Sequence, residues 1–426
     1  MITLAEATSG ACGCDAGDAD EGLIPVDEAL AAVLAMARPV AGVESLPLAG
    51  VTGRALAEPV SAQADMPPFD ASAMDGYAIR LAALKGPGPW QLPVRGRVAA
   101  GDAPPRQPAL AALRILTGAP LPAGCDAVVM QEHVTREGDT ITLTARPEPG
   151  QHIRRAGEDM AAGAELLPAG RLVGVREAAA IAAAGMAAVR VRRRLRVTIL
   201  STGSELAEPG QALAPGQIWN CNRYQLCAAL TRPWITLSDL GIVSDRPDHL
   251  AHMLRTAAER SDLVVTTGGV SVGDEDHMPA VLRGIGGEVK AMRLAIKPGK
   301  PLLIGRLGSA LVLGLPGNPV ATFVGWTVFG ARIAEALAGI AGTGPRRVLA
   351  RAGFDLIRRP GRCEFRPARI GGYDASGAQV LEIGPPGFSH RTALLAAADG
   401  LALIPAGADR ISKGDVLEFM PFAPAW

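Results

Sequence analysis

The chain has 426 residues, 48% hydrophobic and 20% charged. That composition supports roughly two to four globular domains and excludes a largely disordered protein. Lys plus Arg and Asp plus Glu number 42 each, so no global charge draws the chain to nucleic acid or to an anionic membrane, and an anionic substrate must be held by a local cluster.

Residues 1–21 are small and acidic, with Glu6, Asp15, Asp18, Asp20 and Glu21, and lack the apolar stretch of a signal peptide. They read as a disordered tail. Cys12 and Cys14 form a C-x-C within it, but no second pair completes a metal clip. With Cys125, Cys221, Cys227 and Cys363 they are too sparse for a disulfide framework. No segment reads as reaching the roughly 18 apolar residues of a membrane span, and the cytosol is the expected compartment.

Ile24 to Met36 is predicted helical, with Val26, Ala29, Leu30, Val33 and Leu34 on one face and Pro39 beyond its end. Residues 64–162 change character: short apolar runs (Leu92 to Val94, Ala127 to Met130, Ile141 to Leu143) alternate with Pro/Gly turns, which predicts a β-rich domain. Glu177 to Met186 is an alanine-rich helix expected to pack with the first one. From about 195 the pattern is α/β. Leu195 to Leu200, Asp262 to Thr266 and Leu311 to Leu315 are buried strands, and helices start near Pro247 and after Pro319. That alternation predicts a parallel sheet. Residues 345–426 return to short strands and turns. The expected division is a tail (1–21), a helical domain (22–62 plus 163–193), an inserted β-rich domain (63–162), an α/β domain (194–343) and a C-terminal β-domain (344–426).

In an open parallel sheet, ligands bind beyond the carboxyl ends of the strands. Here those ends carry Ser201-Thr202-Gly203-Ser204-Glu205, Thr267-Gly268-Gly269 and Pro316-Gly317-Asn318-Pro319. Glycine lets backbone N–H groups approach a ligand, and helix N-termini favour anions. Three such turns together point to a binding cleft. The acids beside them, Glu205, Asp245 and Asp274-Glu275-Asp276, suit either helix capping or oxygen ligation of Mg²⁺ bridging to substrate phosphates. Lys297 and Lys300 flank Pro298-Gly299, a surface turn or an oxyanion clamp. The stretch Pro67-Pro68-Phe69-Asp70-Ala71-Ser72-Ala73-Met74-Asp75-Gly76-Tyr77-Ala78 reads as a turn-rich loop with Asp70 and Asp75 bonding to backbone.

That loop resembles the N-terminal signature of the molybdopterin molybdenumtransferases (molybdate insertases), relatives of the gephyrin E domain. Further matches follow in family order: Thr117-Gly118-Ala119-Pro120-Leu121-Pro122 to Glu132, Gly157-Glu158-Asp159, Ser201 to Leu206, Gly268 to Asp274, Lys297 to Pro301 and Leu315 to Pro319. The resemblance spans roughly residues 24–420. It implies a multidomain α/β plus β protein, whose central molybdopterin-binding-like α/β domain is flanked by β-rich domains and a small helical domain. It also implies insertion of molybdate into adenylated molybdopterin with release of AMP, assisted by Mg²⁺. The family is an elongated homodimer with its cleft between the α/β domain of one subunit and the inserted β-domain of the other, and it works with an upstream adenylyltransferase and recipient molybdoenzymes.

Carried over by motif position, Asp75, Thr117, Asp159, Glu205, Asp245 and Asp276 are the catalytic set, with Glu205, Asp245 and Asp276 as Mg²⁺ ligands. Gly268, Gly269, Ser271, Pro316, Gly317, Asn318 and Pro319 are expected to carry phosphate and adenylate, and Lys297, Lys300 and Ser389 the oxyanion. Ser204 replaces a usual second acid. Pro367 stands where an arginine is usual, leaving Arg366 or Arg369 to reach the oxyanion, and Arg232-Pro233-Trp234 replaces a glycine-containing turn. The rival readings are the adenylyltransferase one step earlier, which shares the α/β domain but lacks the flanking ones, and a non-catalytic scaffold.

Overall fold

The structure is a computed structural model that describes residues 22–103, 110–270, 277–342, 344–385 and 387–422. The acidic tail with Cys12 and Cys14, Ser271 and the run Asp274 to Asp276 lie outside the described residues. Contacts divide the chain into two compact units: one takes residues up to 44, 53–55 and from 191 onward, the other 45–52 and 56–190.

The first unit is built on a six-stranded sheet in the order Ile235–Val243, Leu195–Thr202, Leu263–Thr267, Ala310–Leu315, Pro301–Leu307, Glu288–Arg293. The first four strands are parallel. Leu263–Thr267 is buried on both faces, as suits a central parallel strand of Leu followed by four β-branched residues. Val265 and Ile199 face a core with Leu226, Phe329 and Ile333, while Val264 and Leu200 face Leu250, Leu254 and Ala257 of the helix Pro247–Arg260. The expectation of a purely parallel sheet needs correction at one edge: Pro301–Leu307 and Glu288–Arg293 run antiparallel. The cause is local. Gly308 has φ +60, and the pairing of Leu307 with Ala310 leaves only Gly308 and Ser309 to reverse the chain.

After Pro316-Gly317-Asn318 the chain enters a helix from Pro319 to Leu337. It widens into a π turn at Trp326–Gly330, where the Trp326 ring lies over Gly330 and would collide with any Cβ there. This helix corrects the reading that no segment is apolar enough to span a membrane, since an 18-residue window within its 19 residues has a mean hydropathy of 1.3. That apolarity is used in the core: Val320, Val324, Phe329, Ile333 and Leu337 are buried.

The helix Val26–Leu34 buries Ala29 and Val33 in the same core. The helix Val175–Ala183 belongs to the other unit. The early helix has apolar partners around Phe329 and Leu337.

The C-terminal part of the first unit is a closed sheet. Cys363–Tyr373 pairs with Gln379–Ile383 on one side and with Gly400–Ile404 on the other, and Val348–Ala352 and Val416–Pro421 complete the ring. Closure leaves no free edge within the ring. The short strand Ile296–Lys297 attaches to it in parallel, setting Lys297 opposite Glu364.

The second unit holds a six-stranded sheet ordered Ala127–Met130, Gly76–Ile79, Ala112–Ile115, Trp90–Val98, Thr140–Leu143, Val134–Glu137. The stretch from Pro67 to Ala78 is therefore only half a loop. Gly76–Ile79 is a fully buried strand between two neighbours, hidden in the sequence by the turn-forming residues before it. Gly76 is required there, because a Cβ would strike the Val129 carbonyl.

Candidate active site

The expected site residues fall into two groups, one per unit. In the first unit the parallel strands end side by side. Thr202 pairs with Val243, and Ser201 with Thr267, so Glu205 and Asp245 follow the ends of adjacent strands. Glu205 is exposed, and its carboxylate folds back over Gly203, where a Cβ would meet it. Its carbonyl accepts from the Ile218 N–H at 2.8 Å. Asp245 is half-buried. It does not cap the following helix: the N-cap residue is Arg246, and its side chain makes no capping bond.

Beneath these ends runs a buried hydroxyl chain. Thr267 Oγ1 donates to Ser201 Oγ at 3.1 Å, and Ser201 Oγ to Asn220 Oδ1 at 3.4 Å. Gly268 has φ +88, and a Cβ there would collide with the Thr202 carbonyl. The turn thus lies flat on the neighbouring strand and only glycine fits. The Gly268 N–H donates to the Leu315 carbonyl at 3.2 Å, tying this turn to the strand that leads into Pro316-Gly317-Asn318-Pro319. That second turn is pinned twice: Asn222 Nδ2 donates to the Gly317 carbonyl at 2.6 Å, and Thr322 Oγ1 to the Pro316 carbonyl at 2.6 Å. A Cβ at Gly317 would meet open space.

Two further segments converge on the same helix start. The Val320 N–H donates to the Ser389 carbonyl at 3.1 Å. Gly299, between Lys297 and Lys300, lies against Ala321, which is within 3.5 to 3.9 Å of a Cβ placed on it. The lysine turn, Ser389 and the Pro316–Pro319 turn are therefore neighbours.

Behind Lys297 sits a buried ionic cluster. Glu364, only 4% exposed, lies 3.9 Å from Lys297 Nζ, accepts from Arg358 Nε at 3.0 Å and pairs with Arg366 at 3.8 Å. Arg366 is also 4% exposed. It stacks on Phe388 at 5.0 Å and reaches the Gly384 carbonyl at 3.4 Å. Burial holds its guanidinium below the ordinary range, against the pull of Glu364. Arg366 thus backs the site from inside, while Arg369 on the same strand is exposed. Arg358, Phe388 and Asn222 lie in no stretch that stands out in the sequence, and Glu364 does so only as part of Arg362 to Pro367, which resembles a family motif. The signal for Glu364 was its two-residue spacing from Arg366 on one strand face.

Three carboxylates in one first-unit site were expected to hold Mg²⁺. Among the described residues no group of three or more His, Cys, Asp or Glu side chains is placed to hold a metal, and Asp276 lies outside them. Glu205 and Asp245 at adjacent strand ends nevertheless suit Mg²⁺, which takes one or two carboxylates and completes its shell with water and phosphate.

In the second unit Asp75 and Thr117 meet directly. Asp75 Oδ1 accepts from the Thr117 N–H at 2.7 Å and from its hydroxyl at 2.8 Å. The amide first, then the hydroxyl, holds the Asp75 carboxyl below the usual carboxylate range. Arg114 donates to the Gly76 carbonyl at 2.9 Å and to the Gln131 side chain, and lies 5.3 Å over Tyr77. Asp159 is exposed, and its N–H donates to the Met66 carbonyl at 3.0 Å. The preceding residues are held by Asp70, which accepts from the Ala156 N–H and pairs with Arg155 at 2.7 Å. Asp70 and Asp75 therefore bond to backbone as the loop reading expected.

Three family models cover the chain in order: a MoeA N-terminal region (domain I and II) at residues 24–185, a probable molybdopterin binding domain at 198–335, and a MoeA C-terminal region (domain IV) at 349–422. A molybdopterin molybdenumtransferase of Haemophilus influenzae is 36% identical over 387 residues, 89% of this chain and 94% of that one. The chain belongs to the molybdopterin molybdenumtransferase family. A relative of the same name from Nostoc sp. is also 36% identical, over 88% of each chain. A solved structure of a molybdopterin biosynthesis moeA protein from Pyrococcus horikoshii OT3 superposes with a TM-score of 0.79 at 28% identity, covering 94% of this chain and all of that one. The molybdenumtransferase match extends through both flanking regions, which a lone α/β adenylyltransferase domain would leave unexplained.

Proposed function

We propose that this chain transfers molybdate into adenylated molybdopterin and releases AMP. The observation that carries the reading is the convergence of the Lys297–Lys300 turn, Ser389 and the Pro316–Pro319 turn at one helix start, beside the Gly268 turn. Molybdate is an oxyanion and needs hydrogen-bond donors and positive charge rather than carboxylates. Lys297, Lys300 and the Ser389 hydroxyl supply them in this reading, with Arg366 buried behind as part of the cluster that fixes Lys297. The Gly268-Gly269 and Pro316 to Pro319 backbone receives the phosphate and adenylate groups. Ser271 belongs to the same turn by sequence.

Glu205 and Asp245, with Asp276 as a third ligand by motif, would hold Mg²⁺, which when bound neutralises substrate phosphate charge. Asp75, Thr117 and Asp159 contribute hydrogen bonds to pterin or ribose from the second unit, and in this proposal they come from the partner of a homodimer. Cytoplasmic location, delivery by an adenylyltransferase and hand-over to molybdoenzymes complete the proposal.

The test is AMP release from purified adenylated molybdopterin, with and without molybdate and Mg²⁺. Release that requires both is expected. Release indifferent to molybdate would end the idea of coupled insertion.

A further inference from the structure

The sheet of the first unit has a second charged end. Arg193 and Arg196 flank the start of Leu195–Thr202, Asp262 immediately precedes Leu263–Thr267, and Ser309 precedes Ala310–Leu315. Arg306 is paired with Leu311 on the antiparallel neighbour. Together with Arg38, Val40 and Leu337 these residues line an open pocket of about 610 Å³. It lies at the strand starts, whereas the turns described above lie at the strand ends. A five-residue strand such as Leu263–Thr267 puts roughly 16 Å between the two.

The pocket carries four guanidiniums, Arg38, Arg193, Arg196 and Arg306, against one carboxylate, Asp262. Asp262 accepts from Arg193 through both oxygens at 2.8 Å and from Arg196 at 3.1 Å. Arg193 Nε also donates to the Ala41 carbonyl at 2.8 Å, and Arg306 to the Met36 carbonyl at 2.8 Å. Carbonyls fix the direction of these groups without cancelling their charge. Arg38 is exposed. The result is a set of oriented fork donors with surplus positive charge, in a chain whose net charge is zero. Guanidiniums held in place match phosphate oxygens and lose little freedom on binding. The volume lies within the range of small-ligand sites.

We propose that this pocket binds a multiply charged phosphate ligand of about pyrophosphate to nucleotide size, independently of the strand-end turns. Arg38 and Arg306 are its principal contacts, while Arg193 and Arg196 are partly committed to Asp262. The experiment titrates inorganic pyrophosphate into the full chain by calorimetry, in wild type, Arg38→Ala, Arg38→Ala/Arg306→Lys and Lys297→Ala/Lys300→Ala proteins.

Saturable binding that weakens roughly tenfold or more in Arg38→Ala, and survives in the lysine variant, is expected. Arg306→Lys keeps the charge but loses the fork, so the double variant should bind more weakly still, and circular dichroism should be unchanged. Affinity should fall steeply with added salt. Absence of saturable binding in wild type would overturn the proposal. So would binding untouched by the arginine changes, or lost only with the lysines.

Discussion

The two units hold their key carboxylates by opposite means. Glu364 is buried and shared among Arg358, Arg366 and Lys297. Asp75 is open to solvent and held by the amide and hydroxyl of one residue, Thr117. A buried ion cluster is part of the folding energy, because removing one member strands the others in a poorly solvated place. An exposed carboxylate on backbone donors contributes little to folding, but its direction is fixed. Stability effects should therefore concentrate around Glu364, and activity effects without stability cost around Asp75 and Lys300.

The sharpest way to break this contrast is Glu364→Ala. It leaves two guanidiniums, each about 5% exposed, without their counter-charge. A loss of about 3–5 kcal/mol is expected in chemical denaturation. A loss under about 1 kcal/mol would mean that the cluster is solvated and the contrast unfounded.

Lys297→Ala and Lys300→Ala come next. A charge-assisted contact is worth about 1.5–3 kcal/mol, so each should raise the molybdate concentration for half-maximal AMP release roughly 10- to 150-fold. Lys300→Ala should barely move the melting temperature, since it lies on a turn. Unchanged molybdate dependence in both variants would return the lysines to ordinary surface charges.

Asp75→Asn should cut activity roughly tenfold or more with the melting temperature nearly unchanged. If the site is shared across a dimer, mixing this inactive chain with Asp276→Asn should restore part of the activity in verified heterodimers. No recovery would favour a site within one chain.

The smallest effect is a pH slope. Burial pushes Asp262 up, but hydrogen bonds from Arg193 and Arg196 outweigh it and bring it down to about 2. A depressed carboxylate stabilises the fold above its unfolded value of about 4, and that stability is lost as pH falls towards the folded value. The difference in urea midpoint between wild type and Asp262→Asn should therefore be full near neutrality and close between about pH 4 and 2. A difference independent of pH across that window would show that packing, not charge, sets the role of Asp262.

The α/β strands and their glycine turns were legible in the sequence because each is a local pattern: a buried apolar run followed by a residue able to take positive φ. Gly76–Ile79 was not, because the turn residues before it mask a short strand whose burial is decided by neighbours distant in sequence. The antiparallel edge was also hidden, since a two-residue turn and a crossover both begin with an apolar run. Among site residues, the motif positions stood out through the resemblance. The pairing of Glu364 with Lys297 did not, because it depends on a parallel bridge between two distant segments. The neighbouring Arg366, with Arg369 one of two candidates for the oxyanion, is buried and paired with Glu364.

One feature of the long core helix bears on how this chain tolerates change. A π turn carries one more residue than an α turn spanning the same length. In Pro319–Leu337 that surplus lies at Trp326–Gly330, with Val320 and Val324 before it and Ile333 and Leu337 after it all facing inward. Loss of a single residue such as Thr327, which is only half-buried, would relax the turn to ordinary winding while the flanking inward positions kept their phase. The helix thus contains a site where the length of the chain can shorten by one without the two flanking halves of its buried face falling out of step.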